Sequence, residues 1–264
     1  MDLKKICIEM EMIAIQAASF ITREAKKFDH RKTRVKGQHD FVSYVDLGSE
    51  RILAEQLGML IPEAGFLAEE GTSDKTGPEY CWIVDPLDGT TNFLHKLHPF
   101  SISIGLRKGK EIVAGVVYEI GRQEIFKAWK DGGAWLNGKR IRVSETQKLS
   151  DSLIATGFPY SDFSRIKSYI VCMEFMMKNT HGVRRMGSAA FDLANVACGR
   201  YEGYFEYGLK IWDIAAGTIL IREAGGKVSD FSGDETYVTG LNIIASNNLI
   251  YNEFQEIVSK FMEN

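Results

Sequence analysis

The chain has 264 residues, a formal net charge of −3 and 25% charged residues. That is the composition of an ordinary soluble protein, and it advertises neither nucleic acid nor a membrane as the main partner. Its four cysteines, Cys7, Cys81, Cys172 and Cys198, show no CxxC or CxxH spacing, which argues against zinc and against a disulfide framework. No apolar run reaches the ~18 residues of a membrane span, and Glu9 and Glu11 stand where a signal peptide needs apolar residues, so a reducing, cytoplasmic setting is expected.

Residues 3–27 carry apolar side chains at helical spacing (Leu3, Ile6, Met10, Ile13, Ala17, Phe20, Ile21) and predict an amphipathic opening helix. The basic, polar stretch 30–39 reads as a loop or loose hairpin. A second helix is expected to begin between Ser43 and Asp46 and to stop before Pro62, followed by a short strand over 65–68. A buried strand at 81–84 places Asp85 at its carboxyl end, with Pro86 ending the ladder. From 101 to 143 the pattern becomes an antiparallel meander, SISIGL, EIVAGVVYE, QEIFKAWK, GAWL and KRIRV. Beyond it, strands at 152–156, 201–207 and 242–246 alternate with helices at 165–179, 191–197, 214–224 and 249–262. Ser188 is the expected cap of the second of these helices. The expected class is α/β in alternating layers, one domain over 1–264 with subdomains at 1–145 and 146–264.

The stretch WIVDPLDGTTNF, residues 82–93, sets Asp85 and Asp88 three residues apart at a strand exit, then a Gly and two hydroxyls. The Asp88-Gly89 pair alone is an ordinary turn signal. With Thr90, Thr91 and Asn92 at a helix start, it becomes a place where backbone N–H groups can meet an anion.

Acids also stand at Asp46, Glu69 and Asp213, each at a predicted strand end or helix start. Asp46 and Asp213 alone would read as helix caps, and Glu69 as a solvated acid. The sharper expectation is that Glu69, Asp85, Asp88 and Asp213 converge. Two carboxylates ~4 Å apart repel by about 4 kcal/mol at an effective dielectric of about 20, so such a cluster calls for divalent cations. An all-oxygen donor set points to Mg²⁺, with Mn²⁺ as the alternative. Magnesium retains waters and takes substrate phosphate oxygens, which makes the cluster a phosphate-processing site.

These residues resemble the inositol monophosphatase family, a branch of the lithium-sensitive, magnesium-dependent phosphatases. The resemblance rests on KGQHDFVSYVD at 36–46, Ala68-Glu69-Glu70, residues 82–93, RRMGSAA at 184–190, EYGLKIWD at 206–213 and residues 223–226, and so covers nearly the whole chain. It implies a layered α-β-α-β-α fold, usually a homodimer. It also implies metal ligation by Glu69, Asp85, the Leu87 carbonyl, Asp88 and Asp213, and phosphate contacts from the N–H groups of Gly89 and Thr90. Thr90, held by Asp46, would orient the attacking water. Gly187, Ser188, Ala189 and Glu206 would receive the alcohol's hydroxyls. Lys36 and Lys210 gain no assigned role, while Arg184 and Arg185 are read as surface or dimer residues ahead of a second-phosphate site.

The expected activity is hydrolysis of an inositol monophosphate or a similar sugar or polyol phosphate. The alternatives are a fructose 1,6-bisphosphatase or phosphoadenosine-nucleotide phosphatase of the same superfamily, and a regulatory or RNA-associated protein that keeps the fold.

Overall fold

The computed structural model describes residues 1–27, 34–37, 40–71, 77, 79–160, 162–235 and 242–263, of which 34–37 and 40–42 are described as backbone only. The first helix, α1 (Leu3–Ala25), starts where Asp2 accepts from the Lys5 N–H at 3.1 Å, satisfying one of the donors a helix start leaves free. It buries Ile6, Cys7, Met10, Ile13, Ala14, Ala17 and Ile21, a stripe spaced by three and four residues. The strands β1 (Arg34–Gly37) and β2 (Asp40–Val42) pair antiparallel. Residues 30–33, 38 and 39 of the expected hairpin lie outside the described residues. The next helix, α2 (Tyr44–Leu60), packs on α1.

A seven-stranded sheet follows, built from β3 (Gly65–Ala68), β4 (Tyr80–Asp88), β5 (Ser101–Lys108), β6 (Glu111–Glu119), β7 (Glu124–Trp129), β8 (Gly133–Leu136) and β9 (Lys139–Ile141), in that order across the sheet. β3 and β4 are parallel and the rest form the expected antiparallel meander. The short helix α3 (Thr90–Leu94) lies between β4 and β5.

A second, five-stranded sheet has the order β11 (Gly182–Arg184), β10 (Leu153–Thr156), β12 (Gly203–Tyr207), β14 (Asn242–Asn247), β13 (Gly226–Ser229). Two of its strands, β11 and β13, three and four residues long, are absent from the sequence reading.

The helices sort into three layers. α1 and α2 cover one face of the large sheet, while α5 (Ala189–Ala197) and α6 (Ile211–Glu223) fill the space between the sheets. α4 (Ile166–Asn179) and α7 (Tyr251–Met262) cover the outer face of the small sheet. The result is the α-β-α-β-α stack. The middle layer is sandwiched on both sides, and every residue of α5 is buried, as expected of a helix without a solvent face.

Close approach of α6 to the large sheet depends on Gly115. A Cβ there would lie 2.6 Å from Ile219 Cγ2 and 2.9 Å from the Ala216 backbone, inside van der Waals contact. Among the described residues, no helix is long and apolar enough to cross a membrane. All four cysteines are free thiols.

Candidate active site

Pro86 does not end its strand, contrary to the reading of the sequence. β4 continues to Asp88, and its register with β5 shifts between Asp85↔Ser103 and Asp88↔Ser101. Two residues on β4 oppose one on β5, which is a bulge, and a bulge tolerates a residue without an N–H. The geometric consequence is local. In a regular strand, residues three apart face opposite sides of the sheet; the extra residue brings Asp85 and Asp88 to the same side. Asp85 Oδ1 accepts from the Leu87 N–H at 2.9 Å, and Ser49 of α2 donates to the Pro86 carbonyl at 2.9 Å, so the bulge is pinned from within and from the helix beside it.

Beyond Asp88 the chain turns through Gly89, whose φ of +94° lies in the left-handed region. A Cβ at Gly89 would meet the Gly187 carbonyl at 3.0 Å and the Pro99 carbonyl at 3.1 Å. Thr90 then opens α3. Its hydroxyl lies 3.0 Å from Asp46 Oδ1 and 3.0 Å from the Leu87 carbonyl, and its single proton is directed at these two acceptors. Asp46 is the third residue of α2; its Oδ2 accepts from the Ser43 N–H at 2.9 Å and from the Ser43 hydroxyl at 2.5 Å. Asp46 thus closes the start of α2 behind its cap Ser43 through one oxygen and meets Thr90 through the other.

Ser188 precedes α5, but its side chain does not cap that helix. Its hydroxyl donates to Asp88 Oδ2 at 2.7 Å and lies 2.9 Å from the Ser101 hydroxyl, while the Ala190 N–H also donates to Asp88 Oδ2 at 2.7 Å. Asp88 has taken the place of the missing cap, with its charge at the positive end of α5. The helix α6 begins three residues before the expected Ile214, so Asp213 sits inside its first turn and accepts from the Lys210 N–H at 2.6 Å. On β12, Glu206 accepts a short hydrogen bond from the Tyr204 hydroxyl.

One cavity of about 310 Å³ is lined by Glu69, Asp85, Leu87, Asp88, Gly89, Thr90, Gly187, Ser188, Ala189, Glu206 and Asp213. Asp46 stands behind Thr90. Burial is the largest cause that pushes the Asp85 carboxyl well above its ordinary range, reinforced by Glu69, Asp88 and Asp213. Burial likewise raises Asp88 to about 6, against hydrogen bonds from Ser188 and the start of α5. Asp213 is raised well above its ordinary value by burial and then by Asp88. Burial lifts Glu206 to about 8, opposed by the Tyr204 hydroxyl, and raises Asp46 against its bonds to Ser43 and Thr90.

Among the described residues, no three His, Cys, Asp or Glu side chains form a closed group able to hold an ion by themselves. The acids surround a shared space instead, so further ligands would come from the Leu87 carbonyl, water or a bound phosphate. An all-oxygen donor set whose members raise one another's pKa fits a hard divalent cation.

The remaining basic residues separate. Lys36 lies in β1, where only backbone is described. Lys210 is exposed at the cavity edge and Arg184 is exposed away from it. Arg185 does not share the surface position expected for it; it lines the cavity, held by Tyr160. The sequence reading gave Asn92 only a backbone place at the helix start and passed over Asp192. Asn92 donates to the carbonyls of Pro99 at 2.7 Å and Met186 at 2.8 Å, fixing the loop that carries Gly187. Asp192 lines the cavity from α5, and an acid in the middle of the apolar run AAFDLANVA was the available signal.

The inositol monophosphatase family model matches residues 2–263. An inositol-1-monophosphatase of Mesorhizobium japonicum is 40% identical over 252 residues, 95% of each chain. The Nus factor SuhB of Escherichia coli is 42% identical over 236 residues, 89% of this chain and 88% of its own. The crystal structure of extragenic suppressor protein suhB from Bartonella henselae superposes with a TM-score of 0.91 at 38% identity, covering 97% of this chain and 99% of that one.

Proposed function

The chain belongs to the inositol monophosphatase family, and from that premise we propose that it is a Mg²⁺-dependent phosphomonoesterase acting on an inositol monophosphate or a similar sugar or polyol phosphate. The observation that carries the proposal is the single cavity shared by Glu69, Asp85, Asp88 and Asp213 with the N-terminal end of α3. These four acids and the Leu87 carbonyl would hold Mg²⁺, and Mn²⁺ would accept the same donors. When bound, the cation lowers the pKa of a coordinated water and offsets charge on the phosphate and on the departing alkoxide.

The chain's own groups supply the rest. The Thr90 proton is engaged by Asp46 and Leu87, so a lone pair of Thr90 Oγ1 is left to accept from the attacking water and aim it at phosphorus. Asp46, raised in pKa by burial, is suited to take up the proton passed through Thr90. The N–H groups of Gly89 and Thr90 hold phosphate oxygens. Gly187, Ser188, Ala189 and Glu206 receive the hydroxyls of the alcohol, with Glu206 fixed in rotamer by Tyr204. We take the working form to be a homodimer, on the family resemblance, and cytoplasmic, on the scattered cysteines.

A second reading, a regulatory or RNA-associated protein that keeps the fold, draws on the relative named Nus factor SuhB. Phosphate release from inositol 1-phosphate, fructose 1,6-bisphosphate and 3′-phosphoadenosine 5′-phosphate, with and without Mg²⁺, separates the readings. The proposal expects release from the first to exceed the other two. No release from any of the three would favour the regulatory reading.

A further inference from the structure

Four buried side-chain polar atoms lack a hydrogen-bond partner among the described residues, and three of them belong to residues lining the same cavity: Arg185 Nε, Asp192 Oδ1 and the Tyr207 hydroxyl. Orphaned buried polar atoms are uncommon and costly; the Tyr207 side chain packs on the other face of β12 against Tyr169, which leaves those of Arg185 and Asp192 as groups kept for a ligand. Arg185 is held in place. Its guanidinium carbon lies 5.1 Å from the centre of the Phe158 ring, and Nη2 donates to the Tyr160 hydroxyl at 2.8 Å, which leaves Nε as a fixed, unused donor. Asp192 is 1% exposed and sits on a helix with no freedom to move aside. Burial, then Glu206 and Asp88, push the Asp192 carboxyl well above its ordinary range, with Arg185 opposing them, and the two form no ion pair.

We propose that Arg185 and Asp192 form a hydroxyl-reading pair in the substrate pocket and set its preference for uncharged polyol groups beside the phosphate. The inference rests on the phosphatase reading above and deepens it. A sugar hydroxyl donates to a carboxylate oxygen and accepts from a guanidinium N–H in the same contact, so one hydroxyl or a vicinal pair answers both orphans. An ionised second phosphate has no proton to donate to Asp192 Oδ1. An ammonium group has no lone pair for Arg185. The pair thus selects a monophosphate with free hydroxyls and disfavours a bisphosphate, which the four residues assigned by resemblance do not distinguish.

The test measures dissociation constants by calorimetry for inositol 1-phosphate and phenyl phosphate, with Ca²⁺ as the divalent ion, alongside kcat/KM for both esters with Mg²⁺. The variants are Asp192→Asn, which keeps the shape, and Arg185→Lys, which keeps the charge and removes Nε. The wild type is expected to bind the inositol ester more tightly, and each variant to shrink the ratio of the two dissociation constants by about tenfold. A ratio unchanged within about twofold in both variants overturns the pair, as does an equal loss on both ligands, which would mark the two residues as structural. A wild type that turns over neither ester overturns the phosphatase reading instead, while the binding ratio still decides the pair.

Discussion

The hydroxyl of Thr90 meets Asp46 Oδ1 at 3.0 Å across 44 residues of sequence, while the other oxygen of Asp46 closes the start of α2. The water-positioning group of the proposed reaction is thereby tied to a helix end that folding must build anyway. Thr90→Val removes the hydroxyl at nearly constant volume and is expected to lower kcat by about a hundredfold or more. Thr90→Ser keeps the hydroxyl and is expected to stay within about tenfold of the parent. Equal rates for the two variants in a steady-state assay would detach Thr90 from the chemistry.

Asp88 links the acidic cluster to α5 through Ser188 and the Ala190 N–H. In Asp88→Asn the amide oxygen can still accept both bonds, so the fold is retained while a charge facing the cavity is lost. Turnover is expected to fall by about a thousandfold, and Mg²⁺ affinity measured by calorimetry is expected to weaken. Retention of most activity in a folded variant would remove Asp88 from the ligand set.

Glu206 carries a stability signature that does not depend on metal. Its pKa is raised by burial from 4.5 to about 8, so between those values the folded chain binds more protons than the unfolded one. Stability is then highest below the ordinary carboxylate range and is lost as pH rises toward about 8. In EDTA, the thermal midpoint is expected to fall from about pH 5 to about pH 8, with a shallower slope in Glu206→Gln. Identical slopes for the two proteins would show that Glu206 is not proton-linked to folding.

The backbone at Gly157 gives Glu206 its position. A Cβ built on Gly157 would fall 2.0 Å from Glu206 Oε2, a distance that forces the carboxylate to move. Gly157→Ala is expected to impair use of inositol 1-phosphate by about tenfold while affecting phenyl phosphate less. An unaltered preference between the two esters would separate Glu206 from substrate recognition.

What could be read in the sequence follows from how locally each feature is encoded. Asp85 and Asp88 stand next to each other in a strand-turn-helix segment, and the meander announces itself by alternation and turns, so both were legible. The bulge at Pro86 was not, because it depends on how β5 pairs with β4. Ser188 looked like a helix cap by position, and only the approach of Asp88, 100 residues away, shows that the helix start is closed by a different side chain. Asp192 went unassigned, and Arg185 was placed at the surface, for the same reason. Their meaning lies in the cavity they share with β12 and Tyr160, which no spacing along the chain records.

Phosphate release from inositol 1-phosphate by the purified protein, followed across a titration of Mg²⁺ into enzyme freed of metal by chelation, tests the central claim most directly. The account predicts no release before the cation is added and saturable release afterwards, abolished in Asp88→Asn. Release that persists at full rate in the chelated enzyme, or none at saturating Mg²⁺, would contradict it.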